Sequence, residues 1–151
     1  MWLVIFAAAA VLWFFYLGHA RPKIPTRPPR IVGNGVYSVG VVGENNYLAS
    51  FEKICGQRTA DCINRKTEAY LILENDNKFD KHAVRVTIEG YTVGYLPRAA
   101  ARGFRQAVIG VGLGRSSVFE CPAHIRSGWD ATLRKQENYA VWLDLPAGDV
   151  H

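Results

Sequence analysis

A polar loop built around one aromatic ring is the first stretch of this sequence whose residue types could do chemistry. Residues 74–86, ENDNKFDKHAVRV, place Phe79 among asparagine, aspartate, lysine and histidine side chains, directly before an alternating apolar run. Phe79 offers a face on which a nucleobase can stack, Asp80 can accept a hydrogen bond from a sugar hydroxyl, and Asn77 can donate to a phosphate or a base edge. Together these groups could hold the end of a nucleic-acid strand.

The same loop has a plainer interpretation. Asn and Asp side chains often hydrogen-bond to their own backbone in turns, and large apolar side chains are usually buried. In that case Phe79 would fold into the core and Lys81 would be solvated. His82 would be solvated too, or would cap the turn. The residue types alone leave both interpretations open.

A cluster of arginines follows the next predicted strand. In YLPRAAARGFRQ, Pro97 predicts the first position of a helix that stops near Gly110. Arginines then recur at i, i+4 and i+7 on one helix face, as Arg98, Arg102 and Arg105. Arg98 falls in the first turn, where free backbone N–H groups already favour a phosphate. The alternative is a solvated charged face.

Short apolar runs bounded by Gly, Asn or Asp must position these groups. They predict strands and are VYSVGVVG, YLASFEKI, AYLILEN, AVRVTIEG, YTVGYL, VFECPAHI and YAVWLDL. Glu89 and Gly90 are predicted to form a two-residue hairpin turn. Closely spaced short strands with one or two short helices indicate a mainly β fold of the α+β class, closed as a small twisted barrel.

The first twenty residues differ from the rest. MWLVIFAAAAVLWFFYL, residues 1–17, carries no charged side chain, and Arg21, Lys23, Arg27 and Arg30 follow it. This pattern predicts a transmembrane signal-anchor over residues 1–20, with a single pass through the inner membrane and the following domain facing the cytoplasm. The alternative is a signal peptide cleaved near the small residues Gly18 and Ala20, which would export the domain.

The remaining chain divides by composition. Residues 21–34 are basic and rich in proline and predict a semi-rigid linker. Residues 35–146 form the predicted folded domain, and residues 147–151 form a tail. Cys55, Cys62 and Cys121 make no CxxC pair and are expected to be reduced in the cytoplasm. In an exported protein, Cys55 and Cys62 could close a small loop.

Net charge and motifs limit the function classes. The net charge is +5 and the pI is about 9.3, but several basic residues lie next to the predicted anchor, so charge permits a nucleic-acid partner without requiring one. No phosphate-binding loop, GxSxG or HExxH motif occurs, and the cysteines lack the spacing of a structural zinc site. We therefore expect a binding module with no enzymatic activity, no cofactor and no metal.

Three blocks in order resemble the HIRAN domain family. They are VYSVGVVGENNY, LILENDNKFDKHAVRV and GYTVGYLPRAAA, and the resemblance runs from about Val36 to Ile109. It implies a compact OB-like barrel that, in well-understood members, captures the free 3′ end of single-stranded DNA. It also implies that Asp80 contacts the terminal hydroxyl, that Phe79 stacks on a base and that Arg98 contacts a phosphate.

The sequence departs from this pattern at one place. After VVG, where end-binding members carry a basic and an aromatic residue, it has Asn45 and Asn46, which leaves Tyr47 in line. The alternative function is therefore a protein-interaction or structural module at the membrane that kept the fold without DNA-end binding. The predicted nucleic-acid-binding residues are Asn77, Phe79, Asp80, Tyr95, Arg98, Lys81, Tyr47 and Arg102.

Overall fold

A computed structural model describes residues 23–56, 63–127, 129–130, 135–136 and 139–146. The predicted anchor over residues 1–20, the tail and Cys62 lie outside this part of the chain. Within it, no helix combines the length and apolar character needed to cross a membrane. Cys55 and Cys121 are free thiols.

Antiparallel strands dominate the described structure. A six-stranded sheet has the order β1-β8-β5-β2-β3-β4, and β6 and β7 form a separate two-stranded sheet. The strands are β1 (Val39–Gly40), β2 (Ile63–Leu73), β3 (Val84–Ile88), β4 (Tyr91–Tyr95), β5 (Val118–Ser127), β6 (Trp129–Asp130), β7 (Lys135–Gln136) and β8 (Ala140–Leu143). With two short helices, the curled large sheet fits the predicted α+β, OB-like class.

The two edge strands of the large sheet meet at one point. Beyond β1, Val42 pairs with Tyr95 at the end of β4, and their backbone N–H and C=O groups form two hydrogen bonds of 2.8 and 2.9 Å. A Cβ atom at Gly94 would lie 2.5 Å from the Val42 carbonyl oxygen. Glycine at this position therefore permits the close approach of the two edges.

The predicted hairpin is confirmed. β3 and β4 pair in antiparallel register around Glu89 and Gly90, whose φ angles are 52° and 80°. Two successive residues with positive φ are typical of a type I′ turn, whose twist matches that of the flanking strands. The turn brings the end of β4 next to the start of β3.

One strand prediction is wrong. The segment YLASFEKI, residues 47–54, does not form a strand. A 3-10 turn at Glu44–Tyr47 leads instead into helix α1, Leu48–Cys55. Strand alternation would have placed polar side chains on the same face as Ile54. Helical spacing instead brings Phe51 and Ile54 together on one buried face, and Phe51 stacks on Tyr139 with ring centroids 4.6 Å apart.

The predicted helix after β4 is present as α2, Arg98–Gly110. The sequence predicts Pro97 as the first residue of this helix. In the structure the helix begins one residue later, at Arg98, and Pro97 directly precedes it. Ala101, Phe104 and Val108 form its buried face. This packing fixes the start of α2 beside the end of β4.

The segment before β1 contacts the barrel. Ile31 N–H donates to the Glu120 carbonyl and Gly33 N–H to the Asp144 carbonyl. Arg30 forms ion pairs of 2.6 Å with Glu68 and 2.7 Å with Glu120. The last residues of the predicted linker are thus fastened to the folded domain.

Candidate nucleic-acid interface

One pocket of about 330 Å³ brings together residues from four separate segments. The loop between β2 and β3, the point where the sheet edges meet, the end of β4 and the start of α2 all contribute. The lining residues are Val42, Asn77, Phe79, Asp80, Ala83, Tyr95, Leu96 and Arg98. Five residues predicted from the sequence therefore share one pocket.

The ring of Phe79 lies at the surface. Phe79 is 95% exposed, so the interpretation in which it folds into the core is wrong. An apolar side chain held in water is an unfavourable arrangement that contact with an apolar ligand would relieve. The exposed ring is the most accessible part of the pocket wall.

Asn77 organises the loop that carries this ring. Its Oδ1 accepts hydrogen bonds from the backbone N–H groups of Phe79 (2.9 Å) and Asp80 (3.1 Å). The Asp80 carbonyl accepts from Ala83 N–H at 3.0 Å, and the Ala83 carbonyl accepts from Glu74 N–H at 3.0 Å. The polar side chains therefore satisfy the loop backbone, as the plainer interpretation expected, and leave Phe79 outside the core.

Arg105 fastens the same loop from α2. Its Nε donates to the His82 carbonyl at 2.8 Å, Nη1 to Asn75 Oδ1 at 2.7 Å and Nη2 to the Ala83 carbonyl at 2.9 Å. Three donors of one guanidinium are thus used within the protein. Arg102, on the same helix, is exposed and lies outside the pocket lining.

Asp80 and Arg98 are the charged groups of the pocket. Asp80 Oδ1 accepts from His82 N–H at 2.9 Å, which orients the carboxylate, and Oδ2 lies 4.0 Å from Arg98 Nε. The Arg98 side chain is 79% exposed, and such surface pairs contribute only about 0 to 1 kcal/mol. Both groups can therefore be engaged by a ligand at little cost.

Glu74 does not line the pocket but hydrogen-bonds to residues that do. Its carboxylate accepts from Arg85 Nε at 2.9 Å and from Asn77 Nδ2 at 3.4 Å. Burial, and then a hydrogen bond to Glu74, raise the pKa of the Tyr95 hydroxyl. Tyr95 is therefore a neutral hydrogen-bonded wall of the pocket at physiological pH.

Two further predicted residues lie nearby without lining the pocket. Tyr47, on the 3-10 turn, is half-buried and is close enough to Tyr95 to raise its pKa. Lys81 is exposed in the β2–β3 loop. Both stand at the edge of the site.

The sequence patterns missed the supporting residues Glu74 and Arg85 and the wall residues Val42, Ala83 and Leu96. They placed Arg105 on a helix face suited to a phosphate, whereas its guanidinium bonds to the β2–β3 loop. Pairing the predicted β2 and β3 strands across the loop would have brought Glu74 close to Arg85. No comparable local signal exists for Val42, since it reaches the pocket only by pairing with Tyr95, a residue distant in sequence. Within the described part of the chain, no group of three or more His, Cys, Asp or Glu side chains could hold a metal.

Comparisons with known proteins give two solved structures. A protein from Lactobacillus plantarum is 17% identical with a TM-score of 0.35, and the match covers 70% of this chain and 88% of that one. The HIRAN domain of human HLTF is 19% identical with a TM-score of 0.34, covering 70% and 71%. No protein-family model matches, and no curated protein matches. Membership of the HIRAN family stays a prediction from the three sequence blocks.

Proposed function

We propose that the pocket binds single-stranded DNA and receives its free 3′ end. The observation that carries the proposal is the convergence of an exposed aromatic ring, an oriented carboxylate and a solvent-facing guanidinium in one pocket, namely Phe79, Asp80 and Arg98. A strand end presents the complementary groups, which are a base, a sugar hydroxyl and a phosphate.

Each residue has a role in this proposal. Phe79 stacks on a base, a contact that contributes about 1 to 3 kcal/mol. The Oδ2 atom of Asp80 accepts a hydrogen bond from the terminal hydroxyl, and Arg98 contacts a phosphate. Tyr95 provides a second flat wall, and Asn77 holds the loop that carries Phe79 and Asp80. The site binds and does not catalyse.

The pocket's size and walls support a nucleoside-sized ligand. Small-molecule sites usually measure about 300 to 1,000 Å³ and combine apolar walls with a few polar groups. Here Val42, Ala83 and Leu96 provide the aliphatic part of the lining. The resemblance to the HIRAN family, in which the same loop positions contact a 3′ end, agrees with this assignment.

Fluorescence anisotropy with the full chain in a non-ionic detergent tests the proposal. A short single-stranded DNA with a free 3′-hydroxyl should bind, and a 3′-phosphate should abolish binding because the Asp80 carboxylate repels it. Asp80→Asn removes this charge and should reduce the discrimination between the two ends. Asp76→Asn, an exposed change in the same loop outside the pocket lining, is the control.

Equal binding of the two ends, unaffected by Asp80→Asn, would show that the pocket does not recognise a strand end. The alternative, a protein-interaction module, is favoured by the aliphatic walls and by Asn45 and Asn46 in place of a basic-aromatic pair. Salt distinguishes the two, because phosphate contacts weaken steeply with added salt and an apolar peptide contact does not.

We also propose that residues 1–20 tether this domain to the inner membrane on its cytoplasmic side. The support is the uncharged apolar segment followed by basic residues. Membrane fractionation with N-terminal sequencing tests the tether. Protein that starts at Met1 and stays with the membrane agrees with it, whereas a soluble exported protein that starts at Arg21 contradicts it.

A further inference from the structure

Four residues form a continuous row on the outward side of the large sheet, away from the core. Gly40 of β1 pairs with Trp142 of β8, Trp142 pairs with His124 of β5, and His124 pairs with Lys66 of β2. Their neighbours in sequence, Val41, Val141, Leu143 and Ile125, are buried. Because side chains alternate along a strand, the row lies on the outer face of the sheet, where neighbouring side chains cover His124. We call these four residues, with Tyr37 and Arg126, the outer row.

An aromatic side chain lies flat in the middle of the outer row. A Cβ atom at Gly40 would stand 3.3 Å from the Trp142 ring, so the indole lies over a position with no side chain. Trp142 nevertheless keeps 37% of its surface exposed. An exposed indole on a sheet face is a platform for stacking.

Two cations lie around His124, the next residue of the outer row. Lys66 Nζ lies 5.5 Å from the centre of the Tyr37 ring, which meets His124 edge to face. Arg126 is exposed and donates through Nε to His124 Nδ1 at 3.3 Å. His124 in turn hydrogen-bonds through Nε2 to Asn64 Oδ1. The histidine therefore positions Arg126 and does not itself face a ligand.

Charge on the outer row is positive. Burial lowers the pKa of His124, and Arg126 and Lys66 lower it further, so a neutral histidine stands between two cations. Arg30, in contrast, is occupied by Glu68 and Glu120. Lys66 and Arg126 form no ion pair with a carboxylate among the described side chains. They are available to an anionic partner.

The outer row begins at the pocket. Val42 lines the pocket and lies on the same side of its strand as Gly40, since buried Val41 stands between them. Two residues along a strand span about 7 Å, and the three strand spacings from Gly40 to Lys66 span about 14 Å. A chain leaving the pocket can therefore reach the whole row without crossing the core.

We propose that the single strand whose end occupies the pocket continues across the outer row, with a base stacked on Trp142 and phosphates contacting Lys66 and Arg126. This inference rests on the proposed function and extends it to the nucleotides that precede the bound end. The bases and phosphates of a single strand match a surface that places an exposed aromatic ring on one strand and cations on the next two.

Length dependence tests the path. Anisotropy with the full chain would compare a trinucleotide and a dodecanucleotide, both with a free 3′-hydroxyl, and the longer one should bind more tightly. Trp142→Ala should weaken the dodecanucleotide about five- to hundredfold and leave the trinucleotide unchanged. The double variant Lys66→Gln/Arg126→Gln should make the dodecanucleotide's logarithmic salt slope shallower by about 1.4, since each single-strand phosphate contact contributes about 0.7.

Arg115→Gln is the matched control, because Arg115 is exposed and lies outside both the pocket and the outer row. Thermal unfolding checks every variant, and the Lys66/Arg126 pair keeps the test valid if Trp142→Ala does not fold. End-dependent binding that is equal for both lengths and insensitive to these variants overturns the path and leaves the proposed function standing. Failure of both oligonucleotides to bind overturns both.

Discussion

Two phenylalanines of the domain have opposite environments. Phe51 in α1 is fully buried and stacks on Tyr139, whereas Phe79 in the β2–β3 loop is 95% exposed. Phe51 and Phe79 each have polar residues directly before and after them in the sequence, so the immediate neighbours do not separate them. The spacing of Leu48, Phe51 and Ile54 creates an apolar helix face that must be buried. In the loop, polar side chains bond back to the backbone and leave the ring outside.

The buried ring stabilises the fold, whereas the exposed ring is available for ligand binding. A ring that is already buried contributes its free energy to the fold, while a ring left in water contributes only when a ligand covers it. The hydrogen bonds of Asn77 and Arg105 hold Phe79 in this unfavourable position. The loop backbone is therefore fixed before any ligand arrives, which would lower the entropy cost of the proposed binding.

Replacing the buried ring should have the largest effect. Phe51→Ala removes the stack on Tyr139 and leaves a cavity, which should lower the free energy of unfolding by about 3 to 5 kcal/mol. Urea denaturation measures this change. Phe79→Ala is the matched control and should stay within about 0.5 kcal/mol of the unaltered protein. Equal losses in the two variants would contradict the comparison.

The exposed ring should show the reverse pattern. Phe79→Ala should weaken single-stranded DNA binding by about 1 to 3 kcal/mol, because the stacking face is lost. Phe79→Tyr keeps that face and should bind nearly as well. Anisotropy titrations of both variants measure the difference. An unchanged affinity for Phe79→Ala would mean that Phe79 is not the platform.

Two arginines of α2 distinguish the effect of hydrogen bonds to the loop from the effect of removing a positive charge. Arg105→Gln removes donors to the His82 and Ala83 carbonyls and should lower stability by about 1 kcal/mol. Amide hydrogen exchange in the β2–β3 loop should also become faster. Arg102→Gln removes the same charge from an exposed position and should leave loop exchange unchanged. If both variants exchange alike, Arg105 does not fasten the loop.

Two histidines give the smallest expected effect. His124 is buried in the sheet and its pKa is lowered from the ordinary value of 6.5, while His82 is exposed in the loop. Below pH 6.5 the unfolded chain takes up the proton more readily than the folded protein, so stability should fall as pH decreases through this window. Denaturation between pH 5 and 8 measures it.

His124→Gln should reduce that pH dependence by more than His82→Gln does, because His124 is the buried histidine of the two. A pH profile that is the same in the His124 variant would show that another group causes the loss of stability at low pH.

Local sequence patterns predicted most of the elements and the main pocket residues. The Glu89–Gly90 hairpin, the helix after Pro97 and the strands on either side need only near neighbours, and the structure confirms them. Phe79, Asp80 and Arg98 were identified because stacking, hydroxyl and phosphate contacts each require a particular side chain. Residue type and short spacing therefore determined which side chains are suited to contact a ligand.

Only the tertiary structure decided where these groups lie and which are available. The helical state of α1 was missed because a strand and a helix can both bury Leu48 and Ile54, and packing against Tyr139 selects the helix. Arg105 has the same side chain as Arg98, yet contact with the loop occupies one and leaves the other exposed. Val42 lines the pocket only through its pairing with Tyr95, a distant residue. Local sequence patterns do not specify which distant strands pair. Only the long-range pairing in the folded protein brings these side chains together in one site.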